Sequence, residues 1–300
     1  MRFREKKMAI RIKKTIYREW HRALFRLQET CGAASVKHCP AQTVFLHVPK
    51  SAGSSVTEYF ACFIGKSGSD RFVKMEKFRG GDPHADVSAE GVQKARNGRF
   101  VTGHFDWHTL EAVRQPHAFV FTFLRDPAAR LLSLYHYLHH IDENTQPEES
   151  MKEWFRHMKS LTLEEFFSSN DSRALYETNN FMVRQFSGQL NGGAGVDAPF
   201  ETMLEQALRN LETLNYVGFQ ETFTDDFAAL VKKTGFPQRL MPAENMTHKK
   251  AAYPGARYAA KAKKEDVLAL AGARIKCDAE FYRRARARAP EINSRPYAHG

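Results

Sequence analysis

The stretch Thr43-Val-Phe-Leu-His47-Val-Pro49-Lys50-Ser51-Ala52-Gly53-Ser54-Ser55-Val56 concentrates the chain's best means of holding an anion. An apolar run of β-formers turns through Pro49, Ala52 and Gly53 and resumes with apolar residues at helical spacing, the pattern of strand, loop and helix. Backbone N–H groups at a helix start lack intrahelical acceptors, the helix dipole adds partial positive charge, and Gly53 permits close backbone approach. Lys50 adds a full charge, and Ser51, Ser54 and Ser55 add hydroxyl donors. A phosphate or sulfate group is the matching ligand. The order is not that of the triphosphate loop Gly-x-x-x-x-Gly-Lys-Ser/Thr, because here the lysine precedes the glycine.

Two further segments carry chemistry. Arg99-Phe-Val-Thr-Gly103-His104-Phe105 reads as a buried strand ending at Gly103, which puts His104 beyond a strand's carboxyl end, where open α/β sheets bind ligands. An imidazole there suits proton removal from a hydroxyl near neutral pH, with Asp106 and His108 as second choices. The apolar run from His117 to Leu124 reads as a strand buried on both faces. It delivers Arg125-Asp126-Pro127 to a helix over Ala128 to His140, with Pro127 in its first turn. A guanidinium forks onto phosphate oxygens, and Ser133 on the helix adds a hydroxyl.

His47-Val-Pro-Lys-Ser-Ala-Gly-Ser-Ser55 resembles the 5′-phosphosulfate loop of sulfotransferases that use 3′-phosphoadenosine 5′-phosphosulfate (PAPS). The form is that of the carbohydrate branch, sulfotransferase family 2, which includes heparan sulfate 2-O-sulfotransferase. Arg125-Asp-Pro-Ala-Ala-Arg130-Leu-Leu-Ser133-Leu-Tyr135 resembles the 3′-phosphate motif of the same family, and Gly103-His104 lies between the two as it does there. The resemblance covers Thr43 to Thr234. It implies an α/β fold of the P-loop type, a central parallel sheet flanked by helices, with PAPS as co-substrate, a glycan or other hydroxyl acceptor, and no metal requirement. It casts His104 as general base and Lys50 as the cation on the departing phosphate oxygen. Lys50, Ser51, Ala52, Gly53, Ser54 and Ser55 become the cradle of the 5′-phosphate, and Arg125 with Ser133 the holders of the 3′-phosphate. Asn179-Asn180-Phe-Met-Val-Arg184-Gln185-Phe186-Ser187-Gly188 resembles an Asn…Arg-Gln signature of bacterial relatives. On that likeness Arg184 is either a contact for an acidic acceptor or the cofactor, or a plain helix-surface arginine. Lys249 and Lys250 fall where relatives fold a basic loop over the adenosine phosphate, as candidate lid residues.

Around these residues the chain divides into a basic N-terminal helical extension over 1–40, a catalytic domain over 41–250, and a basic C-terminal helix and tail over 251–300. Its apolar and charged fractions, 42% and 26%, are those of a globular protein. Cys31, Cys39, Cys62 and Cys277 are too scattered for a disulfide framework, which points to a reducing compartment. No stretch reaches the roughly 18 apolar residues of a membrane helix, and the N-terminus lacks the apolar core of a secretory signal. A cytoplasmic, bacterial enzyme is expected.

The net charge of +11 is uneven, with ten Lys/Arg against Glu5, Glu19 and Glu29 in residues 1–30 and a second basic region from Ala251 onward. Ile10, Ile12, Ile16, Trp20, Leu24 and Leu27 make the first of these partly amphipathic, suited to an anionic membrane surface or to the protein's own body. No nucleic acid is expected as a partner. Two alternatives stand beside the main reading: a P-loop kinase, and a basic nucleic-acid or nucleotide-binding protein without turnover. The kinase wants the glycine-lysine order and a carboxylate for magnesium, neither of which is evident.

His136, His139 and His140 read as helix-surface residues and not as a metal face. Ser67 to Pro83 reads as an exposed excursion, and a short strand is expected over Tyr216 to Phe219. Helices are expected over Ser88–Ala95, Phe155–Phe167, Ala174–Phe186, Phe200–Leu211, Asp225–Thr234 and Val267–Ala287.

Overall fold

The computed structural model describes residues 39–64, 71–75, 89–145, 149–190, 199–237 and 262–297. Five parallel strands make one sheet: β1 (Thr43–His47), β2 (Phe72–Met75), β3 (Phe100–Gly103), β4 (Phe119–Leu124) and β5 (Tyr216–Phe219), lying in the order β2-β3-β1-β4-β5. Helix α1 (Gly53–Phe63) follows β1, α2 (Ala89–Asn97) precedes β3, α3 (Trp107–Val113) follows it, and α4 (Pro127–His140) follows β4. Four short helices lead on from α4: α5 (Glu149–Ser160), α6 (Leu163–Ser168), α7 (Ser172–Thr178) and α8 (Phe181–Ser187). Then come α9 (Phe200–Glu212), α10 (Phe223–Thr234), α11 (Lys264–Ala271) and α12 (Lys276–Ser294). This is the α/β architecture that the strand and helix alternation implies.

Strand register sorts the core by shape. Thr43 pairs with both Phe100 and Phe119, and Phe72 with Phe100, so every second residue of four neighbouring strands shares a face. One face is aromatic: Phe45, Phe72, Phe100, Phe119, Phe121 and Phe123 pack there against Val56, Tyr59 and Phe60 of α1 and Phe227 and Leu230 of α10. The other is aliphatic, with Val44, Leu46, Val101, Val120 and Val217 packed against α3, α8, α9 and α12. A third cluster joins Leu131, Leu134 and Leu138 of α4 to Phe155, Met158, Phe166, Val267 and Ile275. A sheet buried on both faces reads as continuous apolar runs, as the β4 sequence does.

The differences from expectation have local causes. β2 lies inside the segment read as an excursion; four residues, Phe-Val-Lys-Met, are too short a run to stand out among glycine and charge. Its presence explains Gly103, since a β-carbon there would overlap the Met75 carbonyl of the neighbouring strand. Phe155–Phe167 is two helices because Thr162 starts a new one with a capping box to Glu165. Ala174–Phe186 is also two, parted at Asn180, whose φ is 45°. The terminal helix breaks at the 3-10 turn Gly272–Ile275, and its second part runs on to Ser294.

That terminal helix is basic in sequence and largely neutralised in space. Arg283, Arg284, Arg288 and Arg295 pair with Glu280, Glu205, Glu212 and Glu291, and Arg286 lies over the Phe219 ring. His139 is buried with Nδ1 against the Tyr135 carbonyl, so it is not on the helix surface as expected. Residues 1–38 of the N-terminal extension, Lys249 and Lys250 lie outside the described residues. No helix among the described residues is long and apolar enough to cross a membrane.

Candidate active site

β1 stands at the middle of the sheet, with β3 and β2 on one side and β4 and β5 on the other. The chain therefore leaves β1 first one way and then the other, and the crevice at the carboxyl ends of such strands is where this architecture binds ligands. His47 with Lys50, His104, and Arg125 follow directly from the ends of β1, β3 and β4.

The loop after β1 is wound tightly. Lys50 and Ala52 have φ of 66° and 60°, both left-handed, a conformation that costs a side-chain-bearing residue roughly 1–2 kcal/mol and gathers successive N–H groups into one concavity. Ser51 N–H bonds back to the Val48 carbonyl at 3.2 Å, while the Ala52 carbonyl accepts from Ser55 and Val56. The N–H groups of Ala52, Gly53 and Ser54 have no acceptor among the described residues, and α1 begins with no side-chain cap. The Ser51 hydroxyl is buried and has no partner there either. Unclaimed donors at the positive end of a helix fit a bound phosphate or sulfate. Ser54 is exposed and Ser55 buried. Lys50 Nζ sits 3.8 Å above the Tyr137 ring of α4.

Two imidazoles face each other across β1 and β3. Register pairs Leu46 with Gly103, so the next residues of both strands, His47 and His104, are neighbours on the aromatic face, with ring centroids 4.4 Å apart. His47 stacks on Phe45 at 5.1 Å and fills the space over Gly53, where a β-carbon would overlap its ring. Burial, aided by His104, Lys74 and Lys50, holds the His47 pKa well below the usual histidine range, so this imidazole is neutral. His104 is half-buried. Asp106, a second choice for the base, caps α3, its carboxylate accepting from the Thr109 N–H and hydroxyl. His108, the other, is exposed.

The arginine and the lysine loop meet. Arg125 Nη1 donates to the Lys50 carbonyl at 3.0 Å, joining the loop after β1 to the start of the segment after β4. Its neighbour Asp126 is occupied with the Ala129 N–H and with Lys264, and Glu221 accepts from the Asp126 N–H and the Tyr282 hydroxyl. Burial lowers the Arg125 pKa, opposed by Glu221 and Asp126, and a guanidinium starts high enough to stay charged. Ser133 is half-buried on α4, one helical turn before Tyr137 and so on the same side of the helix.

Arg184 does not lie on a helix surface. It is fully buried, and its guanidinium donates to the carbonyls of Tyr176, Asn179 and Leu190. The rest of its segment is equally structural. Asn180 Oδ1 accepts from Cys277 and Asp278 N–H at the start of α12, while the Asp278 carboxylate accepts from Met182 and Val183 N–H at the start of α8. Each helix caps the other. Gln185 reaches the strand ends, donating to the His47 and Phe105 carbonyls. Arg130, buried beside this junction, donates to the Glu177 carbonyl at 2.6 Å and lies 3.8 Å from its carboxylate.

His47, Gln185 and Tyr137 also lie among the candidate site residues, and the sequence does not single them out. His47 carried a signal: it sits two residues after Phe45 on one strand, hence on the same face, and one residue past the strand's apolar run. Tyr137 carried another, being four residues after Ser133 on a helix. Gln185 carried none, because its contacts come from segments distant in sequence. Residues 39–274 match the model of a family described as Sulfotransferase family. No curated protein matches the chain.

Proposed function

We propose, from the premise that this chain belongs to the sulfotransferase family and is a transferase, that it moves the sulfuryl group of PAPS to a hydroxyl of a carbohydrate or glycan-like acceptor. The observation that carries the reading is the contact between Arg125 and the Lys50 carbonyl, which supports a single ligand spanning the two segments, as a doubly phosphorylated adenosine would. The unclaimed N–H groups of Ala52, Gly53 and Ser54 and the buried Ser51 hydroxyl suit the 5′-phosphate, with Ser55 at the next position of the helix start. Arg125 and Ser133 suit the 3′-phosphate, which adenosine 5′-mono-, di- and triphosphate lack.

PAPS supplies the activated sulfuryl group. His104, at the end of β3, takes the proton that the acceptor hydroxyl gives up, and Lys50 faces the charge that grows on the phosphate oxygen, where a fixed cation contributes most. The neutral His47 ring packed against His104 limits the poses that base can take. Holding the reactants in line does much of the remaining work. The basic N-terminal stretch is suited to an anionic membrane surface. A kinase is not favoured: the chain matches a sulfotransferase family, and the glycine-lysine order of a triphosphate loop is absent.

Transfer of radiolabelled sulfate from PAPS to a panel of desulfated glycans tests the proposal. His104→Ala should keep affinity for adenosine 3′,5′-bisphosphate and lose turnover by about 100-fold or more. Unchanged turnover would move the base elsewhere.

A further inference from the structure

Resting on the function just proposed, we propose that Gln185 is a positioning residue that fixes the anion-binding loop and His104 at a set distance from each other. The β1–β3 ladder ends at the pair Leu46 and Gly103. Past that pair the Gln185 side chain spans the gap, its Nε2 donating to the His47 carbonyl at 3.2 Å and to the Phe105 carbonyl at 2.9 Å. His47 leads into the loop that carries Lys50, and Phe105 follows His104, so one amide group holds both.

The chemistry selects this side chain. Two carbonyl oxygens require two donors, and a carboxamide NH2 offers two N–H bonds from one atom without bringing a charge into a buried site. Gln185 is fully buried, and its Oε1 has no partner among the described residues. An unpartnered buried acceptor costs stability that a methionine of similar shape would not, so the amide is kept for what its NH2 holds. The platform beneath it is rigid. α8 is tied down by Asp278 at Met182 and Val183, by Arg184 at three carbonyls, and by Asn210, which donates to the Phe186 carbonyl at 2.7 Å.

The clamp sets where the loop stands against His104, while the loop's own winding is held without it, by the Ser51 N–H on the Val48 carbonyl and by Arg125 on the Lys50 carbonyl. Arg125, Ser133 and the Lys50–Arg125 contact belong to the β4 side, which Gln185 does not touch. Its loss should therefore reach turnover and spare nucleotide affinity.

The test compares the native protein with Gln185→Met and Gln185→Glu. In calorimetry Gln185→Met should bind adenosine 3′,5′-bisphosphate within about threefold of the native protein. In the sulfate-transfer assay its kcat should fall about 10- to 100-fold with little change in KM, the size expected when reacting groups are misplaced by a fraction of an ångström to an ångström. A buried glutamate is protonated more readily than an exposed one, and its O–H can then donate one of the two bonds. The activity of Gln185→Glu relative to native should accordingly rise as pH falls from about 8 to about 6. A kcat for Gln185→Met within twofold of native, or a Gln185→Glu deficit that does not change with pH, would overturn the clamp. If the native protein binds no adenosine 3′,5′-bisphosphate, the proposed function fails by itself. The clamp is then judged by histidine side-chain NMR, where Gln185→Met should shift the His104 ring resonances, and unshifted resonances would overturn it.

Discussion

Gly53 and His47 compete for one volume. A β-carbon at position 53 would overlap the imidazole, which is wedged between Phe45 and His104. Gly53→Ala must then displace the ring or the loop, and overpacking of this kind costs about 1–3 kcal/mol. Denaturant unfolding should register that loss, with weaker nucleotide binding beside it; an unaltered midpoint would mean that the ring can yield. His47 also makes a statement about pH. Its pKa is held well below the ordinary value, first by burial and then by His104, Lys74 and Lys50, so the folded protein leaves it neutral. The unfolded chain protonates it near pH 6.5, which gives the unfolded state more bound protons as pH falls below that value, and stability declines in the same direction. His47→Phe removes the group. Between about pH 7.5 and 5.5 native stability should fall more steeply than the variant's, by at most about 1.4 kcal/mol per pH unit. Parallel curves would contradict the buried neutral imidazole.

Among the elements, the joint between α8 and α12 bears the site from below. Asp278 is buried with its pKa raised by burial, yet two backbone N–H groups and the nearby Arg130 and Arg184 favour its charged form. Asp278→Ala would leave the α8 start uncapped and both arginines short of a counter-charge, a loss of about 3–5 kcal/mol for breaking a buried set of charges. Urea unfolding measures it, and a change below about 0.5 kcal/mol would show that the joint carries little. This joint also marks where sequence reading fails. Strands β1, β3, β4 and β5 were legible from apolar runs, and α1 and α4 from the turn residues before them, because those signals are local. Asn180 and Asp278 meet across 98 positions of chain, and no local pattern announces a cap supplied from so far away. For the same reason Arg184 looked like a surface or contact residue when its guanidinium in fact closes three carbonyls. In the candidate site, Lys50, His104 and Arg125 stand out in the sequence because each follows closely on an apolar run. β2 was not, and neither was its reach to Gly103.

For the whole molecule, the sheet order brings three strand ends to one crevice and the chain's cations to different fates. Arg283, Arg284, Arg288 and Arg295 of the C-terminal segment pair with carboxylates, and Arg286 lies over the Phe219 ring. Lys50 and Arg125 are gathered at the crevice instead, beside unclaimed N–H groups. The proposed function requires that they serve one ligand with two separate phosphates. Calorimetry of the native protein and Arg125→Ala with adenosine 3′,5′-bisphosphate and with adenosine 5′-monophosphate tests this most directly. The native protein should prefer the bisphosphate, and Arg125→Ala should weaken it about 10- to 100-fold while changing the monophosphate far less. Equal affinity of the native protein for the two nucleotides, or equal losses on substitution, would contradict the account.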